Sequence, residues 1–375
     1  MESVKGLVRA GALVLGLFGM LSPIAGPVAA AERPGASLQW RDATPLQTPE
    51  DADSLLAASS GNWAAPQCIG DGVSGPRVQP VYVYRTWHRN RFGQFQKILQ
   101  RSTYLTTGIF ERSSDGLRTV RWVHDAACQP VFWQVSVPAS KTYYLTTIRK
   151  YLKRHDARFR DPNRVYSLWV DARTSPSWSG LGDDRWSGVW SSSYGFIWVD
   201  AHELVHALGA VSVRAPHSTG RAHCNDEHDV MCYNDGGRWR KRLVCPDPQA
   251  EYRLDCGKDD YFAVNPRRGS WLARHPRANV ANSRFLAKVS PRVLPTRPLR
   301  PTGVVRTAER FSWQAQPGLR YDVGYFDDDG ALVWLGQDLI AGEVGTVGVS
   351  PDARLFVRAV NDAGYSKRTY EPDGY

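Results

Sequence analysis

The chain has 375 residues, 42% hydrophobic and 11% aromatic, enough to bury more than one core. Lys and Arg outnumber Asp and Glu by 47 to 37, but the excess is spread along the chain, with only local groups such as 238–242. No nucleic-acid-binding motif accompanies it, so those groups read as solvated surface and no nucleic-acid partner is expected, while the excess favours attachment to an acidic cell envelope or polymer, or acidic substrates.

Residues 1–31 place Lys5 and Arg9 before an apolar run at 10–21 and small residues ending Ala29-Ala30-Ala31. This is the pattern of a secretory signal peptide, and no later run is long enough to span a membrane. An exported, extracellular mature chain is therefore expected. The six cysteines fit that compartment, since an even number suits disulfides. Cys68 is expected to pair with Cys128, and Cys224, Cys232, Cys245 and Cys256 among themselves. Residues 32–75, rich in Ala, Ser, Pro and acids, read as a linker or short pro-segment.

From there the pattern alternates. A strand is expected over 78–85, a helix over 91–113, strands over 119–123 and 130–137, a helix over 142–155 and a strand over 165–170. This order predicts an α/β (α+β) domain, spanning 76–290. The stretch 175–193 (SPSWSGLGDDRWSGVWSSS) reads as a long loop rich in Trp, Ser and Gly.

His202-Glu203-Leu204-Val205-His206 matches the H-E-x-x-H pattern of zinc hydrolases. Residues four apart share a helix face, so His202 and His206 present two imidazoles to one point while Glu203 stands beside them as a base for water. Ala201, Leu204, Val205 and Leu208 make the surrounding helix apolar, and Gly209 is placed to end it in a left-handed turn.

With Gly209 included, the segment resembles the metzincin class of zinc endopeptidases, whose pattern is H-E-x-x-H-x-x-G-x-x-H followed by a methionine turn. His202, Glu203, His206 and Gly209 match in place, but the third-ligand position holds Ser212. The preferred third ligand is His217, which follows the stiff Ala215-Pro216 step and resembles a spacer in a secreted bacterial subgroup. His223 is the alternative, then Asp226 or Asp229, while His223 and His228 otherwise read as solvated loop residues. Asp229-Val230-Met231-Cys232-Tyr233 resembles the methionine turn. It implies Met231 as an apolar floor and Tyr233 as a second catalytic group beside Glu203. The resemblance also implies that part of 175–193 forms an edge strand on which a peptide substrate pairs, with Trp178, Trp186 and Trp190 as subsite walls.

Beyond the turn, Asp259 and Asp260 are candidates for an accessory Ca2+ site. The stretch 291–301 is proline-rich and basic and reads as a linker. Residues 302–375 carry short alternating strands in an order that resembles an all-β fibronectin type III sandwich, expected to space, dock or bind. Together these readings predict a secreted zinc endopeptidase acting on protein or peptide through Glu203, with zinc on His202, His206 and His217. The rival is an inactive protease-like binding protein that has lost its metal, and a weaker one is a zinc hydrolase of non-peptide substrates.

Overall fold

In a computed structural model of the chain, the residues described are 66–172, 180–193, 197–226, 229–244, 253–292, 298–326, 332–361, 364–366 and 368–370. A central sheet in the order β3-β1-β4-β6-β5 organises the first half. Strands β1 (Arg77–Arg85), β3 (Trp133–Val137), β4 (Arg164–Asp171) and β6 (Trp186–Trp190) are parallel, and β5 (Gly180–Asp183) runs antiparallel at one edge. Because side chains alternate along a strand, β1 and β4 feed two separate cores. Val78, Tyr82, Val165 and Trp169 enter the core shared with helices α1 (Phe92–Ser113) and α3 (Ile197–Ala207). On the opposite face Val81, Val83, Leu168 and Val170 pack with Ile148 and Leu152 of α2 (Leu145–His155).

The expected strands and helices of 78–170 are thus present with small shifts of boundary. The stretch read as a Trp, Ser and Gly loop instead supplies two strands of the sheet. β6 is buried at all five positions, as parallel strands covered on both faces are. Trp186 and Trp190 are therefore core residues rather than subsite walls, and the Trp190 indole N–H donates to the Thr142 carbonyl at 2.7 Å. Trp178 lies outside the described residues. A two-stranded ribbon of β2 (Arg118–Val120) and β7 (Leu286–Lys288) and the short helix α4 (Trp271–Arg274) complete this half. Cys68 is bonded to Cys128 and Cys224 to Cys232; Cys245 lies outside the described residues.

Residues 302–370 form two sheets. One joins β8 (Thr302–Arg306), β9 (Arg310–Gln314) and β12 (Glu343–Gly345). The other joins β10 (Arg320–Phe326), β11 (Leu332–Leu339), β13 (Leu355–Asn361), β14 (Gly364–Tyr365) and β15 (Thr369–Tyr370). Phe311 and Trp313 of the first meet Tyr321, Val323, Leu355 and Val357 of the second in one core, which makes the unit a β-sandwich.

The sandwich is seated on α1. Phe356 and Val360 leave its outer face to join the core of the first half, and Arg101 of α1 reaches both oxygens of buried Asp322 at 3.2 and 3.1 Å. Arg358 adds contacts at 3.1 and 2.9 Å. Burial pushes the Asp322 carboxyl up, but Arg101 and Arg358 outweigh it and hold the group below the usual carboxylate range.

Candidate metal centre

Helix α3 buries Val199, Ala201, Leu204, Val205 and Ala207, and this apolar packing holds His202 and His206 in place one turn apart. The helix ends at Gly209, whose φ of 107° is open to glycine and strained for other residues. The Gly209 N–H bonds the His206 carbonyl at 2.9 Å and the Ala210 N–H bonds the Val205 carbonyl at 3.2 Å. This paired pattern is a Schellman cap. It turns the Ala210 carbonyl back to accept from His206 Nδ1 at 2.8 Å.

The other two rings are oriented from the turn at 229–233 and from Asp235, two residues beyond it. His202 Nδ1 donates to the Val230 carbonyl at 2.7 Å. His223 Nδ1 donates to Asp235 Oδ2 at 2.8 Å. Since each Nδ1 faces an acceptor that has no proton to give, the single proton of each neutral ring sits on Nδ1 and leaves Nε2 as a bare lone pair. The three Nε2 atoms lie 3.1 Å (His206 to His202), 3.2 Å (His206 to His223) and 3.3 Å (His223 to His202) apart. Burial holds all three below the usual histidine range, His206 at about 4, with the neighbouring rings adding to the shift at His202 and His206. For His223 the Asp235 carboxylate offsets part of it. Three converging lone pairs with no proton among them repel one another unless a cation stands between them. The donor set therefore fits a divalent metal.

Glu203 is buried beside this set, and burial, then the nearby Asp200, pushes its carboxyl well above the usual range. Strand β5 lies directly against it. A methyl group added to Gly180 would stand 2.5 Å from Glu203 Cγ, and one on Gly182 would stand 2.4 Å from the Glu203 carbonyl oxygen and 2.5 Å from His206 Cβ. The approach needs glycine on every second residue of the strand. Among the described residues no strand pairs with the outer side of β5. Tyr233 is half exposed, its ring 4.2 Å from that of His223 and 5.9 Å from that of His202. Burial, Glu203 and Asp235 push its phenol up to about 12, so it is held protonated. Met231 is fully buried in the core below, and Asp229 shapes its turn by accepting from the Met231 and Cys256 N–H groups and the Tyr261 hydroxyl.

His217 does not join the set. Its N–H and its Nδ1 both turn to the Asp260 carboxylate, at 2.8 and 3.2 Å, and Asp259 stands 3.4 Å from the same ring nitrogen. The expectation of His217 as third of the trio is thus corrected to His223, because the chain after Pro216 is captured by an acid 43 residues further on. Asp229 is engaged in its turn, as described above. His228 lies outside the described residues.

Asp259 and Asp260, the expected calcium pair, do converge with Asp226 and Asp255, their ligand atoms lying within 4.8 Å of one another. Arg242 stands among them, 2.8 Å from Asp226, and Asp255 is spent on the N–H groups of Asp260, Tyr261 and Phe262. Sequence reasoning gave no role to Asp235, which no spacing rule marks, or to the glycines of β5, whose alternation in Gly180-Leu181-Gly182 was the available signal.

Neither a protein-family model nor a curated protein matches the sequence. Among solved structures the chain is similar to wild-type OgpA from Akkermansia muciniphila, with a TM-score of 0.32 and 11% identity over 84% of this chain and 94% of that one. It is similar also to catalytically inactive OgpA from the same organism in complex with an O-glycopeptide substrate, glycodrosocin, with a TM-score of 0.30 and 11% identity over 82% of this chain and 96% of that one.

Proposed function

We propose that the chain is a secreted zinc endopeptidase, with zinc held by His202, His206 and His223. The observation that carries the reading is the spacing of the three Nε2 atoms, 3.1, 3.2 and 3.3 Å. A tetrahedron with zinc–nitrogen bonds of about 2.0–2.1 Å has edges of about 3.3–3.4 Å, so the rings are spread by close to the amount one zinc requires. Bound there, the ion would supply a Lewis acid that polarises the scissile carbonyl and acidifies a water. Glu203 accepts the proton of the attacking water and delivers it to the leaving amine, a role suited to a carboxyl raised by burial. Tyr233, protonated and beside His223, donates a hydrogen bond to the oxyanion. The open side of β5 receives the peptide backbone, which fits an extended protein or peptide substrate.

The wider assignment goes with it: residues 1–31 as an export leader, 32–75 as linker or pro-segment, 76–290 as a metzincin-like catalytic half and 302–375 as a fibronectin type III-like module after the linker at 291–301. The strand orders β12-β9-β8 and β11-β10-β13-β14 support the last of these. The test is hydrolysis of quenched fluorescent casein by the mature chain, beside its zinc content. Glu203→Gln is expected to keep the zinc and lose about 10²–10⁴ of the rate. A wild-type chain that holds zinc and cleaves nothing, or a Glu203→Gln chain that cleaves as well as wild type, overturns the endopeptidase.

A further inference from the structure

We infer that Asp235 and the Cys224–Cys232 disulfide form a clamp that presets His223 as the third ligand, Asp235 acting as a positioning residue; the inference rests on the metal reading above. His202 and His206 are spaced by a helix. His223 is 17 residues from His206 and stands on neither helix nor strand. A ligand at the end of so long a loop is entropically free unless something else fixes it.

Two devices do so, one tied to the turn at 229–233 and the other, Asp235, two residues beyond it. The disulfide ties the residue after His223 to the residue before Tyr233, and the Cys224 N–H bonds the Met231 carbonyl at 3.2 Å. His223 is thereby fixed over the same turn whose Val230 carbonyl orients His202. Asp235 then sets the ring. Its Oδ2 accepts from His223 Nδ1 and from the Thr219 hydroxyl, both at 2.8 Å, and its Oδ1 accepts from the Gly237 N–H at 2.9 Å. The Thr219 N–H in turn bonds the His223 carbonyl at 2.9 Å. The carboxylate is therefore immobile before it meets the ring. Of the three acceptors behind the trio it alone is charged, so it both selects the tautomer and strengthens the nitrogen as a donor.

The experiment measures zinc affinity of the mature chain by competition with a chromophoric chelator, together with the visible absorption of the cobalt-loaded form and the unfolding temperature of the metal-free form. Asp235→Asn keeps an acceptor oxygen but removes the charge. It is expected to weaken zinc binding about 10–100-fold and to shift the cobalt bands, with metal-free unfolding unchanged. Asp235→Ala is expected to weaken binding further. The Cys224→Ser/Cys232→Ser chain is expected to weaken it as well, and if that chain fails to fold the Asp235 pair decides alone. Wild-type zinc binding with folded Asp235 variants within about twofold of it overturns the clamp and leaves the metal reading standing. A wild-type chain that takes up no zinc overturns both.

Discussion

His217 and His223 lie six residues apart on one loop, and their surroundings are opposite. His223 meets two imidazoles whose lone pairs, among the described residues, have no donor facing them. His217 meets carboxylates that already have partners: Arg242 against Asp226, and the His217 N–H and ring against Asp260. The first set holds no cation among its members, and the second holds one, Arg242, 2.8 Å from Asp226. A ligand set is recognised by that shortage more than by the presence of ligand-type residues, since both clusters have those.

The sharpest break of this comparison is substitution at each histidine. His223→Ala is expected to cost on the order of 4 kcal/mol of zinc binding, about a thousandfold, if a structural zinc's ~10–16 kcal/mol divides among its ligands. His217→Ala is expected to leave zinc binding near wild type. Equal losses at both, read by chelator competition, would mean that the two clusters are not distinct.

A third cluster sets the scale for charge balanced from within. Asp322 sits between Arg101 and Arg358, and Arg101 also stands 3.5 Å from Asp338. Asp322→Ala strands the Arg101 charge in a buried interface and is expected to destabilise the chain by about 3 kcal/mol, near the low end for broken buried pairs because Asp338 remains. Denaturant unfolding reads this. A cost near zero would show that the ionic contact does not hold the sandwich on α1.

What could be read from the chain divides along the same line. The helix of His202 and His206, its end at Gly209 and the sandwich strands follow local rules of period and turn, and those rules were sufficient. The third histidine follows no local rule. Pro216 makes His217 look aimed, but Asp260 decides its target from a remote stretch of chain. β6 escaped for a related reason: Trp186-Ser187-Gly188-Val189-Trp190 is covered on both faces, which removes the alternation that marks a half-buried strand.

β5 offers a smaller test of the metal side. Gly182→Ala would drive a methyl into the Glu203 carbonyl and His206 Cβ, and neither can swing aside. The expected cost is about 2 kcal/mol of stability with weakened zinc binding, since the strain falls on the helix that spaces His202 and His206. Gly269→Ala lies on an exposed turn at a φ of 78°, with open space around the added methyl, and serves as the control for backbone strain alone. Weakened zinc binding in both would remove β5 as the cause.

The smallest effect tests the carboxylate side through pH. Asp260 faces His217, Asp259, Asp226, Arg242 and Asp255, and burial, then the neighbouring acids, pushes it up from 3.8 to about 7. A carboxyl raised in the folded state holds its proton where the unfolded chain has released it. Folded protein then binds more protons than unfolded between about pH 4 and 7, so stability falls as pH rises through that window and levels off above it. Asp260→Asn cannot ionise and is expected to remove up to about 1.4 kcal/mol per pH unit of that slope, measured by urea unfolding between pH 5 and 6. Burial raises Asp226 and Asp255 as well, so part of the slope remains. An Asp260→Asn chain with the wild-type slope would mean that Arg242 and His217 supply enough positive charge to let Asp260 ionise normally, and the cluster would then be as fully balanced as the one at Asp322.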